Sequence, residues 1–288
     1  MYKIILNPLA NNKKSSSCKN YFIEKYGAEN VEIFDILEIE DIRQFVLSNM
    51  NDIIVIAGGD GTISNFINDV YGLENLDNVF YYPCGSGNDF YNDVKDLPLF
   101  ENVKDKLIPV KDFIKSLPVV TVNGIKKYFI NGIGFGIDGY CCEQGDIIRA
   151  NSEKGVNYTL IAIKGLLGKF KTHNAVVTVD GVTKEYKKVW LAPTMIGRYY
   201  GGGMKVTPNQ DRFNPNKVVS SVVFHKSSVL KTLIIFPSIF SGKHIKYKKY
   251  FEVREGHCVT VEFEKPCALQ IDGETYKNVT KYSVEYGK

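Results

Sequence analysis

Short apolar runs alternate with segments of helical period through the first third of the chain. Runs rich in β-branched and aromatic residues predict four buried strands: YKIIL, VEIFDI, NDIIVIA and VFYYP. Apolar positions on one face predict a helix after Asp41 and another after Thr62: Ile42, Phe45 and Val46, then Ile63, Phe66, Ile67, Val70 and Tyr71. Strands that alternate with helices predict a parallel sheet, which binds ligands at the carboxyl ends of its strands.

After about Leu117 the pattern changes to short alternating runs separated by Gly, Asn, Asp or Lys. These runs predict antiparallel β structure: VVTVNG, KKYFING, AVVTVDG, KVWLAPT, KVVSSVVF, FEVREGHCVTVEF and CALQIDGE. A proline follows a helical segment near Ser116 to Pro118, and we place a domain boundary there. The predicted fold is an α/β domain with a parallel sheet over 1–117, followed by a β-rich antiparallel domain over 118–288.

Composition supports a folded protein with two domains of ordinary size. The 288 residues are 44% hydrophobic and 24% charged, and the net charge of +4 argues against a dedicated nucleic-acid binder. The six cysteines lack CxxC spacing and the N-terminus has no apolar run of signal-peptide length, so we expect a cytoplasmic protein. Its apolar stretches are interrupted and fall short of the ~20 residues that span a bilayer, so membrane contact is expected to be peripheral.

The motif GGDGT lies directly between the strand NDIIVIA and the following helix. Consecutive glycines let the backbone approach a phosphate, and the helix then presents unpaired N–H groups and its positive dipole end. A carboxylate there, Asp60, indicates Mg²⁺ or a hydroxyl proton to receive. The alternative is a tight strand-to-helix turn in which Asp60 is the N-cap.

The motif PCGSGNDF follows the strand VFYY and opens into a predicted helix. Two such loops from neighbouring strands are expected to face one crevice. Ser86 and Asn88 can donate to phosphate or ribose, and Asp89 is a second acidic candidate for a metal network. The alternative is an ordinary polar turn.

Six motifs together carry a family resemblance. They are Asn7-Pro8 after the first strand, GGDGT, PCGSGNDF, FINGIGFGIDG, GGGMKVTPN and QIDGE. In this order, over nearly the whole chain, they resemble the diacylglycerol kinase catalytic-domain family, particularly its soluble bacterial lipid kinases, with sphingosine and ceramide kinases as relatives. GGDGT alone is shared with NAD kinases, so the series of six is the more specific signal.

The resemblance implies that ATP binds to the first domain and that the DGE element reaches the acceptor hydroxyl. The implied nucleotide contacts are Asn7, Ala10, Asn11, Asn12, Gly58, Gly59, Gly61, Thr62, Gly85, Ser86 and Asn88. Asp60 and Asp89 are implied in the Mg²⁺ and water network, and Glu274 as the general base, with Asp272 as a second candidate. From the residues alone, QIDGE equally fits a β-hairpin turn, and the turn and the base can be the same residues.

The chain departs from the family pattern in several places. Where relatives often have GGDGTxNE, this chain has Ser64-Asn65. Where relatives carry an acidic Asp-Asp-Gly that provides a structural Mg²⁺ site, it has Phe213-Asn214-Pro215, so we expect that site to be lost or altered. The chain ends soon after VTKYSVEYGK, and we expect it to lack the additional C-terminal helix of many relatives.

Three glycines, Gly134, Gly136 and Gly139, also satisfy GxGxxG. No parallel βαβ unit is predicted around them, so close backbone packing or a bulge is the preferred interpretation over dinucleotide binding.

Two segments, 158–171 and 243–250, combine basic residues with apolar or aromatic ones. They suit an anionic lipid surface, but a core-facing helix and a charged edge strand explain them equally well.

The sequence therefore predicts a lipid kinase that transfers the γ-phosphate of ATP, with Mg²⁺, to diacylglycerol at the membrane surface, giving phosphatidic acid. An NAD kinase is the first alternative, disfavoured because its TGSTAY loop is absent. A non-catalytic lipid-binding relative is the second, and predicts that substituting Asp60 leaves the biological role intact. A homodimer through an exposed edge strand remains open.

Overall fold

The chain divides after Leu117 into two compact units, Met1–Leu117 and Pro118–Lys288. A computed structural model describes residues 1–10, 16–101, 103–151 and 156–287. The strands of the first unit are β1 Tyr2–Leu6, β2 Val31–Asp35, β3 Ile53–Gly58, β4 Val79–Pro83 and β5 Ile108–Pro109. Its helices are α1 Ser16–Tyr26, α2 Ile42–Ser48, α3 Asp60–Val70, α4 Asp89–Val94 and α5 Lys111–Ile114, with 3₁₀ turns at Ala28–Asn30, Ile36–Glu38, Pro98–Phe100 and Lys104–Lys106.

The first sheet has the strand order β2-β1-β3-β4-β5 in the part of the chain that the structure describes. The pairs β1–β2, β1–β3 and β3–β4 are parallel, and the short β5 adds an antiparallel edge. The four predicted strands and the parallel sheet are confirmed. The strand order reverses between β1 and β3, and a reversal of this kind opens a crevice at the carboxyl ends of those two strands.

Both predicted crossover helices are present. In α2 the Asp41 side chain accepts the backbone N–H of Gln44 at 2.9 Å and so caps the helix. In α3 the buried apolar side chains are those that the 3.6-residue period selects, namely Ile63, Phe66, Ile67 and Val70. Burial of this face fixes the direction in which the N-terminus of α3 points, towards the carboxyl edge of the sheet.

The second unit is mainly antiparallel β, as predicted. Its strands are β6 Val119–Val122, β7 Ile125–Tyr128, β8 Gly132–Gly136, β9 His173–Val179, β10 Val182–Met195, β11 Val219–His225, β12 Phe251–Gly256, β13 Cys258–Ile271 and β14 Glu274–Glu285. Its helices are α6 Ile137–Asn151, α7 Tyr158–Lys164 and α8 Val229–Ile235, with a π-turn at Gly165–Lys169 and 3₁₀ turns at Phe236–Ile239 and Lys243–Lys246.

One antiparallel sheet organises this second unit. Within the described ranges its strand order is β12-β11-β10-β8-β13-β14-β6-β7, and β9 pairs with both β10 and β13. The largest fully buried side chains of its core include Phe135, Phe263 and Tyr282, whose rings pack together. The short β8 lies in the middle of the sheet between β10 and β13, and therefore holds the loop that precedes it, residues 129–131, against the β13–β14 turn.

The sequence did not predict α6. Its buried residues are Ile137, Asp138, Gly139 and Gly145, of which two are glycines, so it lacks a clear amphipathic period. A Cβ at Gly139 would lie 2.1 Å from the backbone oxygen of Ala268, so this glycine allows α6 to pack directly on β13. Close backbone packing was the preferred interpretation of this glycine, and it is confirmed.

The segment 158–171 forms α7 and the π-turn, with Asn157 as the N-cap that accepts the backbone N–H of Leu160. Ile161 and Leu166 face the interior, whereas Leu160, Ile163 and Leu167 are exposed. The core-facing helix that was weighed for this segment is therefore present, but it has an apolar outer face as well. No helix in the described ranges is long and apolar enough to cross a membrane.

Candidate active site

The loop after β3 carries the glycines of GGDGT and begins α3. Gly59 is the N-cap of α3 and Asp60 is the first residue of the helix. Gly58, Gly61 and Thr62 lie in the same strand-to-helix connection, beside the sheet's switch point. The first turn of an α-helix carries N–H groups without intrahelical partners and the positive end of the helix dipole, and both favour an anion such as phosphate.

Asp60 binds the second glycine loop. Its Oδ2 accepts the backbone N–H of Asp89 at 2.9 Å, and its Oδ1 accepts that of Phe90 at 2.8 Å. Both donors belong to the first turn of α4, whose own N-cap residue, Asn88, makes no side-chain cap. The alternative in which Asp60 caps its own helix is therefore wrong, because Asp60 caps α4 instead and fixes PCGSGNDF against GGDGT.

The two loops touch through their glycines. A Cβ at Gly85 would lie 2.4 Å from the Cα of Gly59, so no larger residue fits at Gly85 without moving one loop. Asn88 closes the PCGSGNDF turn, because its Oδ1 accepts the N–H of Gly85 and its Nδ2 donates to the oxygen of Gly85, each at 2.9 Å. One amide donor of Asn88 thus serves the turn, while Ser86 is exposed at its tip.

Asn7 connects the loop after β1 to GGDGT. Its Nδ2 donates to Oγ1 of Thr62 at 2.8 Å, and its backbone N–H donates to the oxygen of Ala57 at 3.1 Å. Its Oδ1 accepts the N–H of Leu9, and Ala10 is buried behind this turn. The loops after β1, β3 and β4 therefore form one connected rim. Asn11 and Asn12, also expected here, lie outside the described residues.

Tyr81 binds the GGDGT loop through its hydroxyl. Its hydroxyl donates to the backbone oxygen of Gly58 at 3.2 Å. Burial raises the pKa of Tyr81 well above its ordinary value, and the nearby carboxylates of Asp60 and Asp89 raise it further. Tyr81 therefore stays protonated and remains a hydrogen-bond donor to the glycine loop.

Carboxylates at the rim are few. In the described part of the chain no group of three or more His, Cys, Asp or Glu side chains could hold a metal ion alone. Mg²⁺ is commonly bound by one or two carboxylates together with substrate phosphates. Asp60 and Asp89 are the carboxylates of the two glycine loops, and Asp89 is only 4% exposed.

In the second unit, Asp272 and Gly273 form the turn between β13 and β14. Both have positive φ, 46° and 90°, as a two-residue type I′ hairpin turn requires. The buried carboxylate of Asp272 accepts three backbone N–H groups, from Ile130 at 2.7 Å, Asn131 at 2.9 Å and Gly132 at 3.1 Å. This saturation makes Asp272 a positioning residue for the loop before β8 and argues against its use as a base.

Glu274 is the first residue after this turn. Its side chain is 37% exposed, and its Oε2 lies 2.5 Å from Nζ of Lys127, which is 13% exposed. The ion pair orients the carboxylate while leaving part of it accessible. A base must be within reach of its proton, so Glu274 is the better candidate of the two acids.

Sequence analysis missed three further residues of the second unit. Lys127 is one; Arg212 is another, and its buried guanidinium donates to the oxygen of Ile130 at 2.9 Å. Asp138 is the third, a buried residue at the start of α6. No local pattern marks Lys127 or Arg212, but the Asp-Gly dipeptide at the end of FINGIGFGIDG could have marked Asp138.

The carboxyl of Asp138 is buried. Burial raises the pKa of its carboxyl to about 7. Tyr200, Gln270 and backbone N–H groups approach it, but among the described residues no hydrogen bond of normal geometry reaches either carboxyl oxygen. A carboxyl in this state exchanges its proton near neutral pH.

The segment with Phe213-Asn214-Pro215 forms tight polar turns. Asp211 accepts the backbone N–H of Phe213 at 2.9 Å, and Asn214 accepts that of Asn216 at the same distance. One side-chain oxygen of Asp211 and one of Asn214 therefore accept a backbone N–H within their own turns.

Comparison with known proteins assigns the class. The sequence profile of the diacylglycerol kinase catalytic domain matches residues 1–116, and that of the YegS C-terminal NAD kinase beta sandwich-like domain matches residues 131–284. The first domain therefore belongs to the diacylglycerol kinase catalytic-domain family and the second, which is more than half of the chain, to the YegS C-terminal domain family, and the resemblance stated from the six motifs is confirmed.

Individual relatives agree with this assignment. The chain is 24% identical over 270 residues to the diacylglycerol kinase of Mycobacterium tuberculosis, covering 91% of this chain and 84% of the relative. It is 22% identical over 225 residues to the diacylglycerol kinase of Bacillus subtilis, covering 77% and 71%. The crystal structure of a diacylglycerol kinase from Bacillus anthracis superposes with a TM-score of 0.61 at 18% identity, covering 99% of this chain and 93% of that one. The predicted fold class is confirmed.

Proposed function

We propose that this chain is an ATP-dependent lipid kinase that transfers the γ-phosphate of ATP to the hydroxyl of diacylglycerol or a similar lipid, giving phosphatidic acid. The observation that carries the proposal is the pair of interlocked glycine loops at the switch point of a parallel sheet, joined by Asp60. Family membership gives the kinase class. The relatives' names favour diacylglycerol as the acceptor.

On this proposal the phosphates of ATP lie against the first turn of α3, where the helix dipole favours negative charge, and beside the PCGSGNDF loop, whose first helical N–H groups are bound by Asp60. The proposed contacts are those expected from the sequence, with Asn7, Thr62 and Ser86 as the polar side chains. Mg²⁺ bound with the nucleotide would neutralise phosphate charge, and Asp60 and Asp89 are the carboxylates that would hold it.

Glu274 is the proposed general base. It accepts the proton of the lipid hydroxyl as the hydroxyl oxygen forms its bond to the γ-phosphorus, and the bond to the β-phosphate oxygen breaks to release ADP. Lys127 holds the carboxylate in place through the ion pair. Asp272 acts on the same site indirectly, because its three backbone contacts fix the turn from which Glu274 projects.

We place the protein in the cytoplasm, with peripheral contact to the membrane that contains its acceptor. All six cysteines are free thiols, which suits a reducing compartment.

The test is transfer of radiolabelled γ-phosphate from ATP with Mg²⁺ to diacylglycerol, sphingosine, phosphatidylglycerol and NAD in mixed micelles. We expect label in diacylglycerol, and a loss of kcat of about 10²- to 10⁴-fold for Glu274→Gln, since it removes the base. Asp60→Asn is expected to lower transfer as well. Glu285→Gln, an exposed carboxylate at the end of the same strand β14, and Asp69→Asn, exposed near the end of α3, are the matched controls.

Each alternative function predicts a different result. Label in NAD assigns the chain to the rival kinase class. Normal transfer by Glu274→Gln removes Glu274 from the mechanism. No transfer to any acceptor, together with biological function retained by Asp60→Asn, favours the non-catalytic relative.

A further inference from the structure

Two helices of the second unit expose large apolar side chains on one surface. In α7 and the π-turn, Leu160, Ile163 and Leu167 are exposed by 47%, 43% and 64%. In α8, Leu230 and Ile234 are exposed by 70% and 65%. Because α8 packs against the π-turn, these side chains belong to a single surface. We call residues 158–171 and 226–250 the apolar-basic face.

The inner sides of these helices are already used by the core. Ile161 and Leu166 are buried beneath α7 and the π-turn, and Thr232 and Ile235 are buried beneath α8. The exposed leucines and isoleucines are therefore additional to the side chains that hold the helices in place. A cluster of this kind marks an interaction surface.

The charge on this face has one sign. The stretches 156–179 and 226–251 contain no Asp or Glu. They carry nine lysines, all exposed: Lys164, Lys169, Lys171, Lys226, Lys231, Lys243, Lys246, Lys248 and Lys249. The whole chain has a net charge of only +4, so positive charge is concentrated on this face. Lysines beside exposed Leu and Ile are the combination that holds a peripheral protein on anionic lipid.

We propose that the apolar-basic face docks on an anionic bilayer leaflet, with Leu167, Leu230 and Ile234 entering the boundary between headgroups and acyl chains. The inference deepens the proposed function and rests on it for the choice of partner, because a kinase of a bilayer lipid works at the leaflet surface. Charge complementarity supports the same partner: nine lysines spread over two segments match a continuous negative surface better than a single acidic site.

The experiment measures co-sedimentation of the full chain with vesicles of phosphatidylcholine alone or of phosphatidylcholine mixed with phosphatidylglycerol. Ile234→Ser and Lys231→Gln test the apolar and the basic parts. The controls are Val182→Ser, another β-branched residue exposed by 65% in the same unit, and the exposed Lys187→Gln. Thermal unfolding of every variant verifies that it is folded.

The wild type is expected to partition onto vesicles that contain phosphatidylglycerol and only weakly onto phosphatidylcholine. Ile234→Ser lowers the partition coefficient about tenfold, and Lys231→Gln lowers it about fivefold, while both controls bind like the wild type. Equal binding to the two vesicle types, or equal losses in the controls and the variants, overturns the proposal.

Phosphoryl transfer to a short-chain diacylglycerol dissolved as monomers separates this proposal from the proposed function. If Ile234→Ser loses vesicle binding but still phosphorylates the dissolved acceptor, both proposals are supported. If the wild type binds vesicles through this face without transferring phosphate to any acceptor, docking stands and the kinase proposal fails. If transfer occurs but Ile234→Ser binds vesicles normally, docking alone fails.

Discussion

The dipeptide Asp-Gly occurs at the candidate site of each unit, and the two copies adopt different local structures. Asp60-Gly61 begins a helix, whereas Asp272-Gly273 closes a hairpin with both residues at positive φ. Each carboxylate accepts backbone N–H groups from a segment distant in sequence, two for Asp60 and three for Asp272. In both units an acid that looks catalytic in the sequence therefore organises a neighbouring loop.

The difference between the two lies in what remains accessible. The donors that Asp60 binds are at a helix N-terminus beside the glycine loops, so Asp60 contributes both to loop order and to the charge at the rim. Asp272 is buried and saturated, and the accessible carboxylate is two residues away at Glu274. Hydrogen-bond saturation therefore separates Asp272, which positions a loop, from Glu274, which is the candidate base.

The largest expected effect comes from removing the Asp272 carboxylate. Asp272→Ala leaves three backbone donors without their acceptor, which should lower the free energy of unfolding by about 5 kcal/mol. Asp180→Ala is the matched control, because Asp180-Gly181 is also a positive-φ hairpin turn and its carboxylate accepts the N–H groups of His257 and Cys258 at an exposed site. Water can replace Asp180, so we expect a loss of about 1 kcal/mol. Urea unfolding measures both, and equal losses would contradict the distinction.

A fourth Asp-Gly pair, at Asp138, sharpens the comparison because its carboxyl is buried without hydrogen-bond partners of normal geometry. In the unfolded chain this carboxyl loses its proton near its ordinary pKa of 3.8, whereas the folded protein keeps it until about pH 7. The folded state binds the additional proton in that window, so the stabilisation is complete below pH 3.8 and is lost as pH rises through about 7. The loss amounts to about 4 kcal/mol.

Urea unfolding from pH 4 to pH 8 tests this dependence against Asp138→Asn, which is neutral throughout. Burial raises the pKa of Cys142 and that of Cys267 to about 12, and the pKa of Tyr200 further, so these neighbours stay neutral in the window. We expect the difference between wild type and Asp138→Asn to change by about 4 kcal/mol in favour of the variant as pH rises. A constant difference would show that Asp138 ionises normally.

The smallest expected effects come from the glycines of the two Asp-Gly pairs, Gly273 in the hairpin turn and Gly61 in the helix. Gly273 has a φ of 90°, so Gly273→Ala should cost about 1 kcal/mol of stability. Gly61 lies in the first turn of α3 with open space around its Cα, so Gly61→Ala should gain about 0.5 kcal/mol. Thermal unfolding gives both signs. If both substitutions change the stability in the same direction, the predicted difference between the helical and the hairpin glycine is contradicted.

Much of the fold could be predicted because the buried residues are those that the strand and helix periods of the sequence select. The runs YKIIL and NDIIVIA are apolar enough to be central strands of a parallel sheet, and the face from Ile63 to Val70 has a helical period. The helix α6 could not be predicted, because Gly139 and Gly145 weaken its helical propensity and packing on β13 overrides that weakness. Tertiary contact, not local preference, stabilises this helix.

The candidate site was predictable only in part, for a similar reason. Glycine-rich strand-to-helix loops have a local signature, and the structure brings both of them together as expected. Residues that are distant in the sequence and come into contact only in the folded structure have no local signature. Lys127 is 147 residues from Glu274, and the cap that Asp60 provides lies on another helix.

The central position of β8 has a consequence for the order of folding. Residues 133–135 of β8 pair with residues 269–271 of β13, and the loop before β8 is held by Asp272. These contacts join segments separated by nearly half of the chain, and the loop-closure entropy is lost before any of them forms. During synthesis β8 must wait for β13, so the second unit is expected to assemble slowly and late, and its candidate base reaches its position only when that assembly is complete.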